Sequence, residues 1–159
     1  MISISLLEVE RMAEFHPPAG RVAETLASSG WTPDRQVSVD DWKEFFESRG
    51  VAMHAAARDF LSSFGGLSVD VSGPGVSCAR EPFSFDPMWC EGDEDRFLDW
   101  GAELGLHLFP VGGLDNGRFV LGMDEHGVIY LLETWVASFG PWHEALEALI
   151  LGIKSQEIA

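Results

Sequence analysis

The chain has 159 residues and a formal net charge of −16, with 26 acidic residues against 10 basic ones. This length fits a single domain, and a domain of this size buries roughly 70% of the surface that its unfolded chain exposes. Phosphate backbones and anionic membranes repel such a surface, so we expect no nucleic-acid binding and no membrane binding. The acidity either favours a basic partner or serves solubility alone.

The cysteines and the first residues indicate the compartment. Cys78 and Cys90 are too few for a disulfide framework or a cysteine zinc site. The first eight residues lack the basic region of a secretory signal, and no run approaches 18 apolar residues. We therefore expect a soluble, cytoplasmic protein with reduced thiols. Acidic neighbours of Cys90 argue against thiol catalysis, and Cys78 is expected to be buried and inert.

The N-terminal segment is predicted to be an accessory arm. Residues 6–15 fit a short helix that Pro17 and Pro18 would close. We therefore assign residues 1–18 to the arm and residues 19–159 to one domain.

Two helices are predicted next. Apolar spacing from Val22 onward indicates a helix that ends at Gly30. Ser38 begins a near match to a capping box, and the helix that it would open carries Trp42 and ends before Gly50.

The most regular helix is predicted over residues 52–64, where apolar residues recur at the spacing of one buried face. We expect Gly65 to adopt the left-handed conformation that ends the helix and Leu67 to pack back on its last turn. Val69 and Val71 then alternate with an acid like a strand.

The rest of the chain is predicted to be mainly strands. They are expected within residues 67–77, 83–85, 106–111, 118–123 and 128–136. A helix follows the acidic residues 91–95 and ends at Gly105, and a last helix begins with Pro141 at its first position. This order predicts an α+β domain with a central antiparallel sheet of about five to six strands, on which N-terminal helices and a C-terminal helix pack.

No spacing matches a catalytic or metal-binding motif. The five histidines lack paired ligand spacing, and the glycine pairs that begin at Gly65 and Gly112 lack phosphate-loop spacing, so both pairs are interpreted as corners. Residues 115–117 and 124–127 resemble calcium loops only superficially and are interpreted as hairpin turns. We therefore predict no catalytic residue, cofactor or metal, and keep a hydrolase or metal site assembled from distant residues as a third hypothesis.

An acidic stretch follows Trp89 in the sequence. Such a stretch is either a solvated face or, with the ring as an anchor, an interface for a basic partner. The predicted partner-binding residues are Trp89, Glu91, Asp93, Glu94 and Asp95, followed by the turn acids Asp115, Asp124 and Glu125.

Several short motifs occur in a particular order along the chain. They are Gly30-Trp31, Trp42 in a helix, Ala56-Ala57-x-x-Phe60-Leu61-x-x-Phe64-Gly65-Gly66-Leu67, Leu108-Phe109-Pro110-Val111-Gly112, Gly127-Val128-Ile129-Tyr130 and Glu144-Ala145-Leu146. This order resembles the SUKH superfamily of immunity proteins, above all its third subgroup, over residues 20–153. The matching residues are mostly of types that pack or form turns, so the resemblance indicates a fold and a role without naming an interface.

The resemblance implies a cytoplasmic α+β domain of the SUKH (Smi/Knr-like) fold that is not an enzyme. It would bind and neutralise the cognate toxin domain of a bacterial polymorphic toxin system, and many such toxins are nucleases or deaminases. Because those toxins must bind nucleic acid, we expect a basic toxin. The superfamily also includes regulators of cell-wall synthesis and signalling, so a regulatory or scaffold protein that binds another cytosolic protein is the alternative.

Overall fold

The computed structural model of the protein describes residues 20–159, and the predicted arm at residues 1–18 lies outside them. The helices of the described part are α1 (Arg21–Ser28), α2 (Asp40–Glu47), α3 (Ala55–Phe64), α4 (Glu94–Leu104) and α5 (Trp142–Leu151). Its strands are β1 (Ser68–Val69), β2 (Gly73–Pro74), β3 (Ala79–Arg80), β4 (Phe83–Ser84), β5 (Phe109–Leu114), β6 (Phe119–Met123), β7 (Val128–Leu132), β8 (Val136–Pro141) and β9 (Gln156–Glu157). A short 3-10 helix, Pro87–Cys90, lies between β4 and α4. The predicted α+β class is confirmed.

A seven-stranded antiparallel sheet, in the order β1-β4-β5-β6-β7-β8-β9, forms the centre of the described domain, and β2 and β3 pair separately. The sheet is wider than predicted because the strand expected over residues 128–136 ends at Leu132. The chain then reverses, with Glu133 N–H donating to the Trp135 carbonyl at 2.8 Å, and returns as β8. The C-terminal β9 pairs with β8 and adds the last strand.

Large aromatic rings fill the core between the helices and the sheet. The fully buried phenylalanines are Phe46, Phe60, Phe64, Phe85, Phe97 and Phe109. Trp31 stacks on Phe64 with 5.4 Å between ring centroids, and Trp142 of α5 lies 5.6 Å from the same ring. Ring pairs at these distances contribute about 0.5–1.5 kcal/mol beyond their buried area. The aromatic contacts therefore join α3 and α5.

Helix α3 begins later than predicted because His54 caps it: its Nδ1 accepts the Ala57 N–H at 3.1 Å. The expected left-handed ending at Gly65 is wrong, since Gly65 has φ −59° and Gly66 has φ +84°. Gly65 is instead required because a side chain at this position would collide with Trp42. A Cβ at this position would lie 2.6 Å from Cζ3 of Trp42.

Two predicted helix starts also differ from the structure. Ser38 does not open α2 with a capping box, because Val39 is the N-cap and the Ser38 hydroxyl accepts only the Asp40 N–H at 3.3 Å. Pro141 is the N-cap of α5 rather than its first residue, since β8 extends through it.

The interpretation of Gly112 and Gly113 as a corner is wrong, because both lie within β5. A Cβ on Gly112 would overlap the Ser84 carbonyl oxygen and lie 3.0 Å from the Phe85 Cα. A Cβ on Gly113 would lie 3.0 Å from the Trp89 Cβ. Glycines inside a strand mark places where other chain segments approach closely. Here they let the end of β4 and the 3-10 helix lie close against β5.

Candidate partner-binding surface

Trp89 lies on the surface at the end of the sheet where β5 turns into β6. Its side chain is 46% exposed, and it is the most exposed of the six tryptophans. The ring borders a cleft of about 340 Å³, named here the Trp89 cleft. The cleft is lined by Ser68, Val69, Asp70, Pro82, Phe83, Ser84, Trp89, Gly113, Asn116 and Gly117.

Two glycines hold the Trp89 indole in place. A Cβ added to Gly113 would lie 3.0 Å from the Trp89 Cγ, and one added to Gly117 would lie 2.6 Å from its Cζ3. Gly117 also has φ +83°, a conformation that glycine adopts without strain. The indole therefore rests on the backbone of the β5–β6 hairpin, which fixes its position while leaving nearly half of it exposed.

A second cleft, named here the acidic cleft, lies at the start of α4. It is lined by Gly92, Asp93, Asp95, Arg96, Asp99, Trp100, Glu133 and Thr134. The Arg96 guanidinium lies 3.8 Å from the Asp93 carboxylate and 3.6 Å from that of Glu133. Trp100 Nε1–H donates to the Glu133 carbonyl at 2.9 Å. The lining thus carries four carboxylates and one cation, which favours a basic partner.

The two clefts are close neighbours along the chain. Trp89 lines the Trp89 cleft and Gly92 lines the acidic cleft. The Cα atoms of these two residues are at most about 11 Å apart, because three peptide steps of about 3.8 Å each separate them. Glu91, which is exposed, lies between them. One protein partner can therefore cover both clefts, because a standard interface buries about 800 Å² on each side.

The remaining predicted residues of this region have different surroundings. Asp95 is exposed, whereas the Glu94 carboxylate is largely covered and lies 3.4 Å from the Arg49 guanidinium. Asp115 is half-buried in the β5–β6 turn next to Asn116 of the Trp89 cleft. Its N–H donates to the Pro82 carbonyl at 2.8 Å. The structure therefore brings the Asp115 turn to Trp89, which no sequence spacing indicated.

Asp124 cannot contact a partner, because it is 2% exposed. One carboxylate oxygen accepts the N–H groups of His126 and Val128 at 2.8 and 3.0 Å, and the other accepts the Tyr130 hydroxyl at 2.8 Å. The turn needs this carboxylate to satisfy its own buried donors. Its prediction as a binding residue is wrong.

Glu125 belongs to the opposite end of the sheet from Trp89. Strand β6 separates its turn from the Asp115 turn, and five residues of strand span about 16 Å. Glu125 is half-buried, and its Oε2 accepts the His107 N–H at 2.8 Å. A single compact interface centred on Trp89 therefore does not need Glu125.

The cysteines contradict one expectation and refine another. Cys78 is exposed rather than buried, in the segment that links β2 to β3. Cys90 is buried, with Sγ 3.3 Å from the Gly112 carbonyl oxygen. Its pKa is raised mainly by burial, and the nearby charge of Asp93 adds less. Acidity of the neighbours was therefore the smaller cause.

Asp70, Asn116 and Glu133 are surface residues that the sequence did not identify as binding candidates. Exposed Asp70 lies between two buried valines, so the alternation does predict that its side chain faces solvent. The cleft next to it depends on strand pairing between distant segments. The other two lie in turns whose neighbours are fixed only by the sheet.

Residues 20–159 contain no group of three or more His, Cys, Asp or Glu side chains placed to hold a metal ion. Nor does any helix among them have the length and apolar character needed to cross a membrane.

An exposed aromatic anchor beside a carboxylate-lined cleft, on an α+β scaffold, is typical of a protein-binding domain. A family model described as SUKH-3 immunity protein matches residues 18–152. The chain belongs to the SUKH-3 immunity protein family, which confirms the resemblance found in the sequence. No curated protein and no solved structure shows significant similarity to it.

Proposed function

We propose that this protein neutralises a cognate toxin of a bacterial polymorphic toxin system by forming a stoichiometric complex with it in the cytoplasm, without catalysis. Membership of the SUKH-3 immunity protein family supports the role. The observation that carries the mode of action is that exposed Trp89 lines one cleft, three residues before the start of a second cleft lined by four carboxylates. Aromatic anchors next to complementary charge are the usual source of binding energy in tight interfaces.

The toxin is proposed to be a basic nuclease or deaminase domain. A net charge of −16 attracts a positively charged partner and raises the association rate. A toxin that acts on nucleic acid must itself carry a basic surface. An acidic inhibitor that covers this surface would block the nucleic acid without any chemistry of its own.

Co-expression with the toxin domain encoded beside this gene tests the proposal. We expect the protein to restore growth and to elute with the toxin as a complex of fixed stoichiometry. Toxicity that persists in the presence of folded protein, or the absence of a complex, would contradict the proposal. Capture of a different, non-toxic cytosolic protein would instead favour the regulatory alternative.

A further inference from the structure

We propose that the Trp89 cleft receives an arginine side chain of the partner, with its guanidinium on the Trp89 indole and paired with Asp70. This inference rests on the proposed function and names the chemistry of one contact within it. It concerns the cleft on the Trp89 side and not the acidic cleft.

The shape of the cleft suits a side chain rather than a flat contact. Its volume of about 340 Å³ is at the lower end of the range for ligand pockets. The indole is the largest exposed apolar surface among its lining residues, and the hairpin backbone at Gly113 and Gly117 holds it in place. A preorganised ring loses little conformational entropy on binding.

The polar groups of the cleft favour a cation with several donors. Asp70 supplies an exposed carboxylate, while the hydroxyl of Ser84 and the amide of Asn116 supply neutral acceptors. The described residues that line the cleft include one carboxylate and no Lys, Arg or His. Arginine fits better than lysine, since its planar guanidinium can stack on the ring and donate to several acceptors together.

The same type of contact already occurs within the chain. The guanidinium carbon of Arg49 lies 3.6 Å from the centroid of the Phe45 ring. Arg118, at the edge of the same hairpin, lies 5.4 Å from the Phe119 ring and 3.8 Å from the Asp115 carboxylate. Arg118, next to Gly117 of the cleft, thus lies within reach of both a ring and a carboxylate. Tryptophan is the strongest of the aromatic partners for a cation.

The first experiment uses small probes and needs no toxin. N-acetyl-arginine amide and N-acetyl-lysine amide are titrated into ¹⁵N-labelled protein. We expect the arginine compound to shift the Trp89 indole N–H and the Gly117 amide resonances in a saturable way, with the lysine compound several-fold weaker. In Asp70→Asn the shifts should weaken, whereas Asp41→Asn, which neutralises an exposed acid of α2, should behave like wild type. Equal shifts for both compounds, or shifts confined to the acidic cleft, would overturn the inference.

The second experiment measures binding to the toxin by calorimetry, after circular dichroism has shown that each variant is folded. Trp89→Ala should weaken Kd about 30-fold, and Asp70→Asn up to about fivefold, which correspond to a hot-spot residue and an exposed ion pair. If wild type binds but both variants bind equally well, the inference is wrong and the proposed function stands. If wild type does not bind the toxin, both fail.

Discussion

The neutral imidazole of His54 contacts three parts of the chain: the start of α3, Met123 at the end of β6, and His107. Its Nδ1 accepts the Ala57 N–H, so its Nε2 carries the proton and donates to the Met123 carbonyl at 3.0 Å. The His107 ring packs against it edge-on, with centroids 5.0 Å apart. A second proton would occupy Nδ1 and remove the cap of α3. Burial chiefly lowers the pKa of His54, His107 lowers it further, and the Met123 carbonyl and the charges of Glu125 and Asp124 oppose this.

This lowered pKa predicts that His54 makes the protein sensitive to acid. The unfolded state takes up a proton near the ordinary value of 6.5, whereas the folded state takes it up only at lower pH. The stabilisation is therefore present above pH 6.5 and is lost as the pH falls below it. His54→Asn keeps a cap acceptor but does not titrate. The free energy of unfolding is measured in urea at pH 7.5 and 5.5. We expect it to fall by on the order of 1 kcal/mol more in wild type than in His54→Asn.

His126→Asn serves as the control, since its side chain is 74% exposed and does not cap a helix. A wild-type loss between these pH values that His54→Asn fails to reduce would show that other groups cause it. The role of His54 was not predictable from the sequence. The helix itself was, but its cap depends on a ring whose other nitrogen is held by Met123, 69 residues away.

At the scale of elements, strand β5 shows what glycine does inside a sheet. A Cβ on Gly112 would overlap the backbone carbonyl of Ser84, while a Cβ on Gly113 would lie 3.0 Å from the Cβ and Cγ of Trp89. The Gly112 overlap is with backbone held by strand pairing, whereas the longer Gly113 contact would be relieved if Trp89 moved by a few tenths of an ångström. The same substitution should therefore have different effects at two adjacent positions.

We predict that Gly112→Ala lowers the free energy of unfolding by about 1–3 kcal/mol, the usual range for overpacking. Gly113→Ala should cost less stability but move the Trp89 indole resonance and weaken toxin binding. Urea unfolding and NMR spectra of the two variants measure both effects. Equal destabilisation by both substitutions, with Trp89 unmoved, would mean that neither glycine has the packing role described above.

The order of elements was predictable, and so was the turn at Gly65 and Gly66, whereas the place of Gly112 and Gly113 within a strand was not. Helix α4, its end at Gly105 and both hairpin turns follow from local patterns, and the structure has them. Two adjacent glycines are the local signal of a corner. The sequence near Gly112 and Gly113 does not reveal that β4 and Trp89 pack against them. The split of the predicted 128–136 strand into β7 and β8 was not predicted either, since it depends on residues 136–141 pairing back on β7.

For the whole molecule, the net charge was readable from the sequence but the arrangement of the charges was not. Asp93 and Glu133 are 40 positions apart in the sequence and both approach Arg96. Asp124, by contrast, lies in an acidic turn and is buried. An excess of acids predicts attraction of a basic partner, while only the fold determines which acids face it.

This distinction leads to a prediction on association rates. Two triple variants change the net charge equally, from −16 to −13, by removing three acids each. The first neutralises Asp93, Asp95 and Asp99 of the acidic cleft. The second neutralises the exposed acids Glu24, Asp34 and Asp41, which lie outside the acidic cleft.

At about 10 mM salt, where the Debye length is about 30 Å, we expect the acidic-cleft variant to slow association with the toxin about tenfold and the other variant much less. At about 1 M salt, where that length is about 3 Å, the rates should converge. Stopped-flow measurements across this range test the prediction. Equal slowing by both variants would mean that the overall charge attracts the toxin and that the acidic cleft does not face it.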